Sequence, residues 1–122
     1  MRHRNWIIIL SLFLFLGCSN YKAIKQARWE FNVGLAYYKE KKYKDAIRWF
    51  LRSVRRYPTS VAYFNIGKAY EELGKYQKAI QDYTKAIEIS PNSSPAYNNR
   101  GLAYVELDKN KEAIKDYTKA IQ

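Results

Sequence analysis

The sequence predicts an all-α fold of three tandem helix–turn–helix units, and three observations carry that reading. Gly67–Ile87 reads GKAYEELGKYQKAIQDYTKAI and, 34 residues on, Gly101–Ile121 reads GLAYVELDKNKEAIKDYTKAI, with fourteen of twenty-one positions identical. The ladder reaches back another 33 residues, so Gly34, Gly67 and Gly101 travel with Tyr37, Tyr70 and Tyr104, with Ala46, Ala79 and Ala113, and with Phe50, Tyr83 and Tyr117. Within each period the apolar residues recur at three- and four-residue spacing, which lines one face of a helix. Composition permits the fold: 122 residues, 48% hydrophobic and 16% aromatic, with five Gly and three Pro, suffice for one modest core and argue against general disorder.

The chain opens MRHRNWIIILSLFLFLGC. Arg2 and Arg4 precede an apolar run of ten residues, Ile7–Leu16, broken only by Ser11. Spanning a hydrocarbon core of about 30 Å takes roughly 20 residues, so the run has the proportions of a secretory signal peptide. Leu16-Gly17-Cys18 at its end resembles the lipobox of bacterial lipoprotein signals, although Phe15 stands where Leu is commoner. The resemblance implies a signal peptide over residues 1–17, acylation of Cys18 and a tether over 18–26. An uncleaved signal anchor is the alternative, and both attach the helical units to a membrane.

The first unit, 27–59, carries Gly34 and Tyr37 on one predicted helix and Ala46, Phe50 and Ser53 on the next, with Pro58 closing it. In the second, 60–93, Tyr63, Ile66, Gly67 and Tyr70 form one stripe, a turn follows at Leu73-Gly74-Lys75, and Tyr76, Ala79, Ile80, Tyr83, Ala86 and Ile87 form another. Glycine inside a helix costs about 1 kcal/mol relative to Ala, so Gly67 predicts close approach of the partner helix, with Ala79 as the small residue opposite. Pro91 cannot continue the helix and biases Ser90 away from it. Ser90–Pro95 is the clearest loop, and Ser93 or Ser94 is expected to cap the following helix. The third unit, 94–122, repeats the second. One helix pair cannot bury its own apolar face, whereas about three stacked pairs make a stable continuous core.

These positions resemble the tetratricopeptide repeat, TPR, a 34-residue unit, over residues 27–122. Two features depart from the pattern: the family's early Trp is Glu30, Tyr63 and Tyr97 here, with Trp29 beside the first, and Arg100 replaces the usual aliphatic before Gly101. The resemblance implies a short right-handed α-solenoid whose concave groove is lined by the first helix of each unit. It places Phe31, Asn32, Leu35 and Tyr38 of the first unit in that groove, with Phe64, Asn65 and Lys68 of the second and Asn98, Asn99 and Leu102 of the third. Asn32, Asn65 and Asn99 each stand two before a ladder glycine. Family asparagines there hydrogen-bond the backbone of an extended peptide, a task suited to an amide that both donates and accepts. Phe31 and Leu35 occupy positions where chaperone-binding relatives hold a C-terminal carboxylate with Lys and Asn, so that mode is disfavoured.

Catalysis is set aside. No histidine follows His3, and Cys18 is the sole cysteine, which removes His-based triads, Cys–His dyads and His or Cys metal sites. Glu71 and Glu72 are adjacent and diverge by about 100° on a helix. No glycine-rich phosphate loop is present, and no cofactor or metal is expected.

Charge is uneven. Net charge is +11 overall, and the first unit alone holds nine basic and three acidic residues. Lys41, Lys42, Lys44, Arg48, Arg52, Arg55 and Arg56 form its basic patch, suited to anionic headgroups beside an anchor or to an acidic partner. Export argues against nucleic acid. Gln122 falls before the third unit's closing proline, so Ile114, Tyr117 and Ile121 are expected to form an open apolar face. The reading is a lipid-anchored adaptor in the bacterial cell envelope, its groove holding a protein or peptide, with the outer and cytoplasmic membranes both open. The alternative is a structural component that self-assembles through its last helix as a homo-oligomer.

Overall fold

The computed structural model describes residues 2–122, with side chains from Asn5 onward. The side chains of Arg2, His3 and Arg4, which include the positive flank of the predicted signal segment, lie outside the described residues. Among the described residues the chain forms six α-helices and no strand: α1 (Arg2–Lys39), α2 (Tyr43–Arg56), α3 (Ser60–Glu72), α4 (Tyr76–Ile89), α5 (Ser94–Glu106) and α6 (Asn110–Ile121). Each helix packs on the next, and α3 also meets α5.

The turns within the pairs are built alike. Lys41, Gly74 and Asp108 take left-handed φ values of 59°, 69° and 58°. The following N–H groups of Lys42, Lys75 and Lys109 then reach back to the carbonyls of the ladder tyrosines Tyr37, Tyr70 and Tyr104 at 3.0, 2.8 and 2.9 Å. These bonds satisfy carbonyls that a helix C-terminus leaves open. Only Gly74 adopts the conformation without a Cβ penalty.

The starts of the first helices differ. Thr59 caps α3, its hydroxyl oxygen accepting from the Ala62 N–H at 3.2 Å. The side-chain cap expected of Ser93 or Ser94 is absent: Ser93 holds the cap position of α5 without a side-chain bond. Its backbone carbonyl accepts from Ala96 and Tyr97 instead, and Pro95 in the first turn brings no N–H to satisfy.

The ladder glycines explain the stacking within pairs. A Cβ on Gly67 would stand 2.6 Å from the Tyr83 ring, and one on Gly101 2.8 Å from Tyr117; Phe50 crowds Gly34 in the same way. The residue opposite Gly67 is therefore the ring of Tyr83 and not Ala79. Phe50 and Tyr83 are fully buried, and Ala46, Ala62, Ile66, Ala69, Ala79 and Ala86 complete the core around them.

At about 1.5 Å per residue, the 38-residue α1 is about 57 Å long. It runs without a break through residues 17 and 26, and residues 18–26 are helical. From Asn5 it is long and apolar enough to cross a membrane, a property that signal sequences share. Leu10 and Phe13, in its apolar run, are 61% and 76% exposed.

Candidate functional site

The residues expected to line a groove include two phenylalanines that pack on buried rings. Phe31 lies 5.4 Å from Phe50, and Phe64 lies 5.7 Å from Tyr83, ring centre to ring centre. The rings that fill the holes at Gly34 and Gly67 thus also pack against these two phenylalanines. Lys68 is half-buried, its ammonium 5.2 Å from the Tyr38 ring and 5.9 Å from Phe64, within cation–π range of both. Tyr38, on α1, donates to Glu72, on α3, at 3.5 Å. Burial, followed by the Glu72 charge, pushes the Tyr38 hydroxyl up to about 12. The Tyr83 hydroxyl donates to Glu71; burial and that carboxylate raise its pKa, with the Asn99 amide opposing. Leu35 is half-buried, whereas Leu102, Val105 and Asn98 are exposed.

The three asparagines are not equivalent. Asn32 is exposed. Asn65 spends one amide hydrogen on the Val61 carbonyl of its own helix at 2.8 Å, leaving its oxygen to accept. Asn99 is half-buried beside the Tyr83 hydroxyl. Their ladder spacing is real, but their surroundings divide the roles.

A feature that the sequence pattern did not single out is a pocket of about 320 Å³ where α1, the end of α2 and the start of α3 meet, lined by Ile24, Arg28, Phe31, Tyr57 and Val61 among others. Arg28 and Val61 stand six before Gly34 and Gly67, so the ladder carried a signal for it.

The basic patch is partly neutralised by a carboxylate that a charge count alone places at the surface. Glu30 is fully buried. Arg56 Nε donates to both of its oxygens at 3.0 Å, and Arg52 Nε lies 3.3 Å away. Arg52 also stands 4.5 Å over the Trp49 ring, which Trp29 meets edge-on at 5.5 Å. Arg48 pairs with Asp45 at 3.1 Å and Lys42 with Glu40 at 2.7 Å. Lys41, Lys44 and Arg55 are exposed without an ion pair among the described residues. The sequence sum therefore overstates the positive charge available to a partner.

The open face of α6 is best judged against its own repeat. On α4, which packs against α5, Ile80 is 5% exposed and Tyr83 fully buried; the equivalent Ile114 is 65% exposed and Tyr117 half-buried, while Ile121 is 86% exposed. Cys18 is exposed on α1.

A stack of helix pairs with an aromatic and amide groove defines a helical-repeat interaction module. A tetratricopeptide repeat profile matches residues 60–93 and 94–122, and a second such profile matches 27–60; the chain belongs to the tetratricopeptide repeat family. Its structure is similar to the second TPR of Spaghetti (RPAP3), solved with the HSP90 peptide SRMEEVD, at 30% identity and a TM-score of 0.80 over 84% of this chain and 94% of that one. It is similar to the Arabidopsis OM64 TPR domain at 30% identity and TM-score 0.79, covering 81% and 83% of the two chains. MamA is 31% identical with TM-score 0.77, over 79% of this chain and 57% of that one. No curated protein sequence matches.

Proposed function

We propose that the chain is a membrane-tethered adaptor whose groove, formed by α1, α3 and α5, holds an extended segment of a partner protein. The observation that supports this reading is the cluster in which Lys68 stands over the Tyr38 and Phe64 rings, beside Asn65, whose amide oxygen stays free to accept. Likeness to a TPR solved with a bound peptide supports it. The peptide itself should differ, because Phe31 and Leu35 remove the charged and amide groups that hold a terminal carboxylate in chaperone-binding relatives.

The tether is residues 18–26, the stretch of α1 that follows Gly17, with Cys18 acylated after cleavage behind Gly17, in the envelope of a bacterial cell. The resemblance of Leu16-Gly17-Cys18 to a lipobox supports this placement.

Two measurements test the proposal. Peptides selected from a random library on the full chain in detergent micelles should lose about tenfold in affinity on Asn65→Ala with Asn99→Ala, the scale of one or two hydrogen bonds. Unchanged affinity would remove the groove. Intact mass and membrane fractionation with and without Cys18→Ser test the anchor: an acylated chain starting at Cys18 supports it, and an unmodified full-length chain in both forms overturns it.

A second reading rests on Ile114 and Ile121, in which two copies associate through α6.

A further inference from the structure

The pocket between α1 and α3 has a chemistry narrow enough to specify a ligand. Its walls are the side chains of Ile24, Phe31, Tyr57 and Val61, and Phe31 is held in place by its packing on Phe50. Two of the three hydroxyls that line it are committed elsewhere. Ser53 donates to the Ala27 carbonyl at 2.8 Å, and the Thr59 oxygen caps α3. What remains for a ligand is apolar surface, the Tyr57 hydroxyl and one charge, the Arg28 guanidinium. No carboxylate lines the pocket, and Arg28 has no ion-pair partner among the described residues. Its volume of about 320 Å³ lies at the lower end for ligand pockets, fit for one large side chain.

We infer that this pocket takes a bulky apolar side chain of the partner segment, and that a carboxylate within two residues of that side chain pairs with Arg28. The inference rests on the groove reading and adds its specificity: the partner is an extended acidic–apolar peptide entering over Val61, where α3 begins. The anchor supplies affinity through buried apolar area. The Arg28–carboxylate pair at the rim supplies register and discriminates against basic neighbours.

The test uses the full chain in detergent micelles and a random twelve-residue phage-displayed library. Peptides enriched on the native chain are expected to pair Leu, Ile, Met or Phe with Asp or Glu within two positions. A synthetic copy of the most enriched peptide should bind at least tenfold more weakly to Val61→Arg, which projects a charged chain across the mouth. Val61 is 59% exposed, so the variant should keep the native helical content by circular dichroism. Repeating the selection on Arg28→Glu should replace the acidic residue with Lys or Arg. Enriched peptides without the pairing, or an affinity insensitive to Val61→Arg yet lost on Asn65→Ala with Asn99→Ala, would overturn the pocket and leave the groove standing. No enrichment on the native chain overturns both.

Discussion

Arg100 on α5 and Asp116 on α6 are joined by two parallel bonds of 2.7 Å, Nε to Oδ2 and Nη2 to Oδ1. A further bond of 3.0 Å runs from Arg100 Nη1 to Thr84 on α4, and Tyr97 and Tyr104 flank the guanidinium at 5.6 and 6.0 Å. The same ladder positions hold Val33 and Trp49 in the first unit and Ile66 and Asp82 in the second. One packing site thus has three chemical solutions, and the third also ties two units together.

Arg100→Ile would copy the second unit's aliphatic into the third and leave Asp116 buried without its partner. Breaking a buried pair from one side costs about 3–5 kcal/mol, and both side chains here are at most 16% exposed. Urea unfolding should show that loss, and Asp116→Leu in the same chain should recover most of it. A single substitution within about 1 kcal/mol of the native chain would show that the pair contributes little.

Asp82 is buried, and Lys85, at 4.0 Å, is its one ion-pair partner among the described residues. Burial pushes its carboxyl up to about 6 against the Lys85 charge, from an ordinary value of 3.8. The folded state therefore holds this proton more tightly than the unfolded chain. The stabilisation is complete below about pH 4, falls as pH rises through 6, and is gone above it. Asp82→Asn should flatten that window of the stability–pH profile and raise stability at pH 7 by about 1–3 kcal/mol. A native profile that rises between pH 4 and 6, or is unmoved by the substitution there, contradicts the assignment.

Gly67→Ala should destabilise by about 1–3 kcal/mol, because the added methyl meets the buried Tyr83 ring, although Ala is favoured in a helix by about 1 kcal/mol. Gly74→Asn is the control. Its position has open space around the missing Cβ, and Lys41 and Asp108 hold the same left-handed conformation without glycine. Thermal melts should separate the two variants, and a stabilised Gly67→Ala would show that the rings can shift at no cost.

Ile114→Glu with Ile121→Glu should leave unfolding free energy within about 0.5 kcal/mol of the native value, since both residues are exposed. If copies associate through α6, sedimentation velocity should show the double variant as a monomer at concentrations where the native chain is larger. Identical sedimentation of the two excludes that face as the contact.

The units, their helices and their turns were legible before any coordinates, because helix periodicity and breakers act within a few residues. Gly34, Gly67 and Gly101 marked the close crossings, and Pro91 marked the end of α4. The groove positions followed from the resemblance to the tetratricopeptide repeat and not from the periodicity itself. The partner opposite each marker was not legible. The ring above Gly67 comes from Tyr83, sixteen residues on, and Glu30 finds Arg56 at a separation of 26. The hydroxyl that crosses between helices comes from Ser53 to Ala27 in the first unit and from Ser60 to Ala86 in the second, with donor and acceptor helices exchanged. A local pattern sets where a helix begins, which stripe is apolar and where it must stop. Which side chains then meet across the crossing depends on how deeply the helices sink together. That is settled by close packing of the whole stack, and it is where this chain keeps its buried charges and its pocket.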